Sequence, residues 1–205
     1  MFDTVEIDST FYRLPDRARF ATWANSTPDG FVFAVKASRF ITHIRRLREP
    51  SEPVDRLVDA ATGLGPKLGP ILLQLPPTLR ADCRALDGVL TAFRGRARVA
   101  VEFRHASWSN AEVEGVLSAH GAARVLADRV GKITGGSTVG WEYVRLHEGR
   151  AEPRPCYGAH ALRSWADRLR GASGYVYFNN DAHACAVRNA ETLRALLSRR
   201  RTRGC

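Results

Sequence analysis

Short apolar runs separated by helix-length amphipathic stretches recur seven times along the chain, at residues 4–11, 31–38, 70–76, 98–105, 123–128, 142–147 and 175–180. Each run carries polar or ionisable residues at or near its end. The intervening stretches hold local helix signals. Pro15 or Asp16 opens a helix through Phe20 and Trp23 that residues 27–30 close, and residues 51–64 place Val54, Leu57, Val58 and Ala61 on one face with Gly63 or Gly65 as the stop. Leu86, Val89, Leu90 and Phe93 form a third stripe, Ser109 with Glu112 three residues on reads as a capping box, Leu162, Trp165, Ala166 and Leu169 form another stripe, and residues 190–197 make the last helix. Strands alternating with helices predict an α/β fold built on a parallel sheet, in whose closed form the C-terminal strand ends make the site. One domain over residues 1–197 accounts for the pattern, followed by a basic tail at 198–205.

Neighbours on a strand point to opposite faces, so the runs also predict which side chains meet. In the first run Val5, Ile7 and Phe11 share the helix-facing side, leaving Thr4, Glu6, Asp8 and Thr10 on the other. The same alternation turns Lys36, Gln74, Glu102 and Arg104 inward, and Asp128, Arg145, His147 and Asn179 join them from the later runs. Glu6, Asp8, Glu102 and Asp128 then face Lys36, Arg104 and Arg145. Packing needs no such set, and a hydrophobic replacement of a buried ion network is often neutral or stabilising. A ligand or catalytic site is the expected reason for it.

Composition narrows the partners. With 205 residues and 44% hydrophobic residues the chain can bury a full core. It has no stretch of about 20 apolar residues and no secretion-signal pattern at its start, so a cytoplasmic protein with no membrane partner is expected. The formal charge is +10, and since Lys36, Lys67 and Lys132 are its lysines, nearly all the positive charge is arginine. It concentrates at Arg39, Arg45, Arg46 and Arg48, after the second run, and at Arg199, Arg200, Arg201 and Arg203 in the tail. Cys83, Cys156, Cys185 and Cys205 form no CxxC pair, so reduced, mostly buried thiols are expected.

Standard chemistries leave few motifs. The chain has no GxxxxGK[ST], no GxGxxG after a strand and no GxSxG elbow. His43, His105, His147 and His183 follow strands, where they can serve as acids, bases or ligands, whereas His120 and His160 read as surface positions. Lys36, Arg104 and Arg145 would repel a divalent cation, so no metal site is assigned, and no cofactor can be named. Arg39, Arg45 and the start of the helix after Asn180 suggest anion capture.

The segments TVEIDSTFYRLP, PDGFVFAVKASRFITH, LGPKLGPILLQLPP, AVEFRHASW, YVRLH and YVYFNND with AVRNA occur in this order and cover nearly all of residues 2–197. Together they resemble the domain of unknown function 72 family, also called YecE-like. The resemblance implies a TIM-type (β/α) barrel and brings no established reaction. The family's first motif usually reads VEINSTFY, so Asp8 stands where asparagine is usual and adds a negative charge beside Glu6. Family members also begin with a strand like IGTSGW and a helix ahead of that motif. Here the sequence opens at Met1 and shows seven strands, so the first βα unit is expected to be missing through a start assigned too late.

The expected activity is general acid-base chemistry, of a hydrolase, lyase or isomerase, on a phosphorylated small molecule or a phosphodiester at the C-terminal barrel mouth. Glu6, Glu102, His147 and Asp128 are the catalytic candidates. Asp8, Tyr12, Lys36, Arg39, His43, Gln74, Arg104, His105, Arg145, Asn179 and Asn180 are the candidates for holding an anionic substrate. The alternative is a non-catalytic nucleic-acid-binding module in which mouth arginines grip the backbone and Tyr12, Trp108 or Tyr157 stacks on bases.

Overall fold

The computed structural model describes residues 2–128 and 139–198. Among the described residues seven strands alternate with helices, and every described strand pair is parallel, so the fold class is the expected α/β class of the TIM type. The strands are β1 (Thr4–Ile7), β2 (Val32–Lys36), β3 (Leu68–Gln74), β4 (Val99–Glu102), β5 (Ala123–Ala127), β6 (Glu142–Leu146) and β7 (Gly174–Phe178). The helices are α1 (Arg17–Asn25), α2 (Ser51–Ala61), α3 (Cys83–Phe93), α4 (Ala111–Ala119), α5 (Ala159–Leu169) and α6 (Cys185–Ser198). The chain divides into two compact units: among the described residues, the first runs to Val125 and includes Val139, and the second holds residues 126–128 and 140–198. The basic run Arg199, Arg200, Arg201 and Arg203, together with Lys132 and Cys205, lies outside the described residues.

In the first unit, the strand side chains that join the helix-packed core are Phe33 and Val35, Ile71 and Leu73, and Val99 and Val101, with Ile7 against them. They meet Phe20 of α1, Val54, Leu57 and Val58 of α2, Leu86, Val89, Leu90 and Phe93 of α3, and Val113 and Leu117 of α4. The stripes foreseen on α2 and α3 are therefore buried. Val5, expected on the same side, is 42% exposed, because β1 pairs with β2 alone among the described strands.

Helix ends follow local chemistry. Asp16 accepts the Arg19 N–H at 2.8 Å and Asp82 accepts that of Ala85 at 2.9 Å, so each caps its helix. The expected cap at Ser109 is corrected to Asn110, whose side chain accepts the Val113 N–H at 3.0 Å, because Ser109 closes the short turn Ala106–Trp108 instead. Helix α2 ends at Ala61 and tightens into a 3-10 segment, Thr62–Lys67, where Gly65 adopts φ 54°. Lys67 satisfies the last carbonyls of α1 and its following turn, donating to Ala24 and Thr27 at 2.7 Å each.

In the second unit, Val144 and Leu146 of β6 and Leu126 of β5 pack with Leu162, Trp165, Ala166 and Leu169 of α5 and Leu193 of α6. The segment between β6 and α5 folds back on itself. Ala151 N–H donates to the Cys156 carbonyl at 2.9 Å, and a Cβ on Gly149 would strike that same carbonyl at 2.1 Å, so only glycine fits there. This turn brings Cys156 to the start of α6, where it forms a disulfide with Cys185 at a Cα–Cα distance of 5.0 Å. The expectation of reduced thiols is thus corrected for this pair, whereas Cys83 is free. Their separation of 29 residues carries no motif; the fold-back alone makes them neighbours.

Closing a loop of this size should contribute about 3–4 kcal/mol of stability to the folded chain. Denaturant melts with and without a thiol reductant measure it. A parent destabilised by reductant and a Cys156→Ala variant already destabilised and indifferent to reductant are the expected results; a parent unaffected by reductant contradicts the bond.

Candidate functional site

Parallel register in the first unit decides which polar side chains share a layer. Glu6 lies beside Ala34, Lys36 beside Leu72, Leu72 beside Ala100, and Gln74 beside Glu102. All of these alternate with the helix-packed residues, so Glu6, Lys36, Gln74 and Glu102 share the face opposite the helices, as expected. Glu102 is 2% exposed and accepts the Arg104 Nε–H at 2.8 Å. Lys36 pairs with Asp8 at 2.9 Å.

The end of β1 departs from the expected alternation. The strand stops at Ile7 and a 3-10 turn, Ser9–Phe11, follows. Phe11 is consequently not helix-facing: the Lys36 ammonium lies 4.7 Å from its ring centroid, and its ring meets His43 edge-on at 5.0 Å. Thr10 is fully buried, its hydroxyl within 2.7 Å of the Lys36 carbonyl and 2.9 Å of the Ile7 carbonyl, which ties the ends of β1 and β2 together. Phe11 and Thr10 were missed as site residues because a strand pattern was extended through a turn; the Ser-Thr pair after the apolar run was the available signal.

His43 lies in one π-helical turn, Phe40–Ile44, that begins after Arg39. Its Nδ1 is 2.9 Å from the Thr42 hydroxyl. Burial, then the positive charges of Arg104, Lys36, Arg39 and Arg46, hold His43 below the usual imidazole range. It is therefore neutral at pH 7. Two arginines of this loop also have partners of their own: Arg45 pairs with Glu49 at 2.6 Å, and Arg46 donates to the Thr78 carbonyl at 2.9 Å. Tyr12 is 76% exposed and touches Phe11 edge-on at 5.0 Å.

Other candidates take local structural contacts. His105 accepts the Ser107 N–H at 3.1 Å and caps a short turn. Trp108, offered as a base-stacking ring, is fully buried, stacks on Phe103 and donates to the Leu79 carbonyl at 2.8 Å. Tyr157, offered for the same role, is 7% exposed. Both are corrected: an enclosed ring has no face for a ligand. His120, read as a surface residue, has a side chain only 4% exposed and meets Asp87 at 2.8 Å. His160 and His183 are exposed.

The second unit holds Asp128, Arg145, His147, Asn179 and Asn180. Asp128 accepts the backbone N–H of His147 at 2.7 Å and a bond from the Tyr157 hydroxyl, which in turn accepts the Glu148 N–H at 2.9 Å. Burial first, and then the Asp128 contact, push the Tyr157 phenol far above its usual range, so it stays protonated. Arg145 is 2% exposed and lies beside Tyr177 in register. Asn180, 1% exposed, donates to the Pro155 carbonyl and to Asn189 at 3.0 Å each, which sets it against α6. Among the described residues no group of three His, Cys, Asp or Glu side chains is arranged to hold a metal ion, and no helix is long and apolar enough to cross a membrane.

The sequence profile of the family described as protein of unknown function DUF72 matches residues 1–204. The chain belongs to this family. Among its DUF72 relatives, the UPF0759 protein YecE of Escherichia coli K12 is 32% identical over 105 residues, which are 51% of this chain and 39% of that protein. The UPF0759 protein YunF of Bacillus subtilis 168 is 31% identical over 117 residues, 52% of this chain and 41% of that one. The matched stretch thus spans about two fifths of these relatives. A DUF72 protein of Thermotoga maritima has a similar structure, with a TM-score of 0.78 and 25% identity over 97% of this chain and 85% of its own. One from Enterococcus faecalis superposes with a TM-score of 0.80 at 18% identity, covering 97% and 86%. SacUVDE shares the fold more distantly, with a TM-score of 0.56 and 9% identity over 88% of this chain and 71% of its own.

Because the unfolded His43 binds a proton below about pH 6.5 and the folded one only at lower pH, the unfolded state holds more protons in that window and stability falls as pH drops through it. Melting temperatures of the parent and His43→Gln between pH 7 and 5 test this. The variant should lose less stability on acidification; parallel curves contradict the placement.

Proposed function

We propose that the first unit is an acid-base enzyme site for a phosphorylated small molecule or a phosphodiester. The observation that carries this reading is the meeting of Asp8, Lys36, Phe11 and His43 at the ends of β1 and β2, on the face that also bears Glu102 with Arg104. Lys36, Arg104 and Arg39 supply positive charge for the anion, and Arg104 is held by a carboxylate that water barely reaches. His43 is the added proton carrier: a neutral imidazole beside cations can accept a proton from a hydroxyl or a water without first losing one. Glu6 and Glu102 remain the carboxylates of the reaction, and Gln74 orients beside Glu102.

Turnover of a panel of phosphomonoesters and phosphodiesters tests the reading. His43→Gln and Glu102→Gln should each lower turnover roughly 100-fold or more. The amide introduced by Glu102→Gln would still offer an oxygen to Arg104, so this variant should melt close to the parent. A parent silent on the whole panel removes the reading; a Glu102→Gln variant that melts far earlier, as loss of a buried ion pair would cause, reduces Glu102 to a structural partner.

A further inference from the structure

We infer that Tyr12 is a stacking platform for an unpaired nucleobase, so that the anion taken by the first unit is the phosphate of a nucleotide. The inference rests on the proposed function above, and specifies its substrate class. Of the three aromatic residues considered for stacking, Trp108 and Tyr157 are enclosed and Tyr12 alone is exposed, at 76%. A single exposed tyrosine is ordinary on a protein surface. What sets this one apart is its support. Its backbone N–H bonds the Ser9 carbonyl at 3.2 Å, closing the turn after β1, and its ring is braced edge-on by Phe11 at 5.0 Å and 88°. Phe11 is braced in turn by His43 at 5.0 Å, with the Lys36 ammonium 4.7 Å from its centroid.

Two successive contacts, 5.0 and 4.7 Å, therefore lead from an exposed aromatic ring to a cation. A nucleotide has the matching halves, a flat π-face and a phosphate, on either side of one ribose. A sugar phosphate lacks the face that Tyr12 offers. Base-paired duplex lacks a free one, since stacking on a protein ring needs an unpaired base. Free nucleotides and single strands share the recognised unit, and the experiment separates them.

Calorimetric titrations at low salt compare adenosine monophosphate with ribose 5-phosphate, and a short oligothymidylate with an abasic phosphodiester of equal length. The base-bearing probe of at least one pair should bind roughly 5- to 100-fold more tightly than its base-free counterpart. Tyr12→Ala should remove that difference and Tyr12→Phe should keep it; a difference in the first pair marks a free nucleotide and in the second a strand. Equal binding within both pairs, or a base preference that survives Tyr12→Ala, overturns the platform and leaves the anion reading standing. No binding of any probe overturns both.

Discussion

Strand register in the first unit is the constraint on which the rest depends. A parallel ladder that sets Lys36 beside Leu72, Leu72 beside Ala100, and Gln74 beside Glu102 sends every alternate residue away from the helices. A slip of one residue on any strand would drive Lys36 or Glu102 into the helix-packed core and expose Val35 or Val101 instead. That alternative is strongly disfavoured, because Val35 and Val101 are fully buried and an unpaired ion in their place would lose its hydration. The apolar residues on one face thus fix the position of the charged residues on the other.

The two faces use buried charge differently. On the helix-facing side Arg124 lies beside Val101 in register, pairs with Glu114 of α4 at 2.6 Å, donates to the Trp108 carbonyl and lies over Phe103. These contacts join β5, α4 and the turn before it, and they enclose Trp108. On the opposite side Arg104 is held by Glu102 while its charge still acts on His43. The first arrangement consumes the charge within the fold. The second leaves it acting on a neighbouring titratable group.

The second unit shows how a polar network can be architectural. Asp128 ends its strand by accepting bonds from the His147 backbone and the Tyr157 hydroxyl, and Asn189 holds Tyr157 at both its N–H and its carbonyl, at 2.9 and 3.1 Å. With the Cys156–Cys185 bond next to it, this anchors the segment after β6 to α6. Hydrogen bonds that satisfy buried backbone groups are obligatory in such a segment. An aspartate at a strand end is therefore as well explained by that need as by catalysis.

Periodicity along the chain determined the class of fold, the seven strands, the buried stripes on the helices and the face taken by Glu6, Lys36, Gln74 and Glu102, because period two and period 3.6 are properties of local backbone geometry. The family was legible too, through six ordered segments. Tertiary structure decided what depends on distance between residues remote in sequence. It brought Cys156 to Cys185, enclosed Trp108 and Tyr157, paired His120 with Asp87 and set Phe11 between Lys36 and His43. The place of Phe11 and the pairing of Cys156 follow from where a strand stops and a turn begins, at Ile7 and after Leu146, because a turn breaks the alternation that the sequence pattern extends. Which side chain meets which partner is then set by packing, where burial, charge and hydrogen bonding are satisfied together.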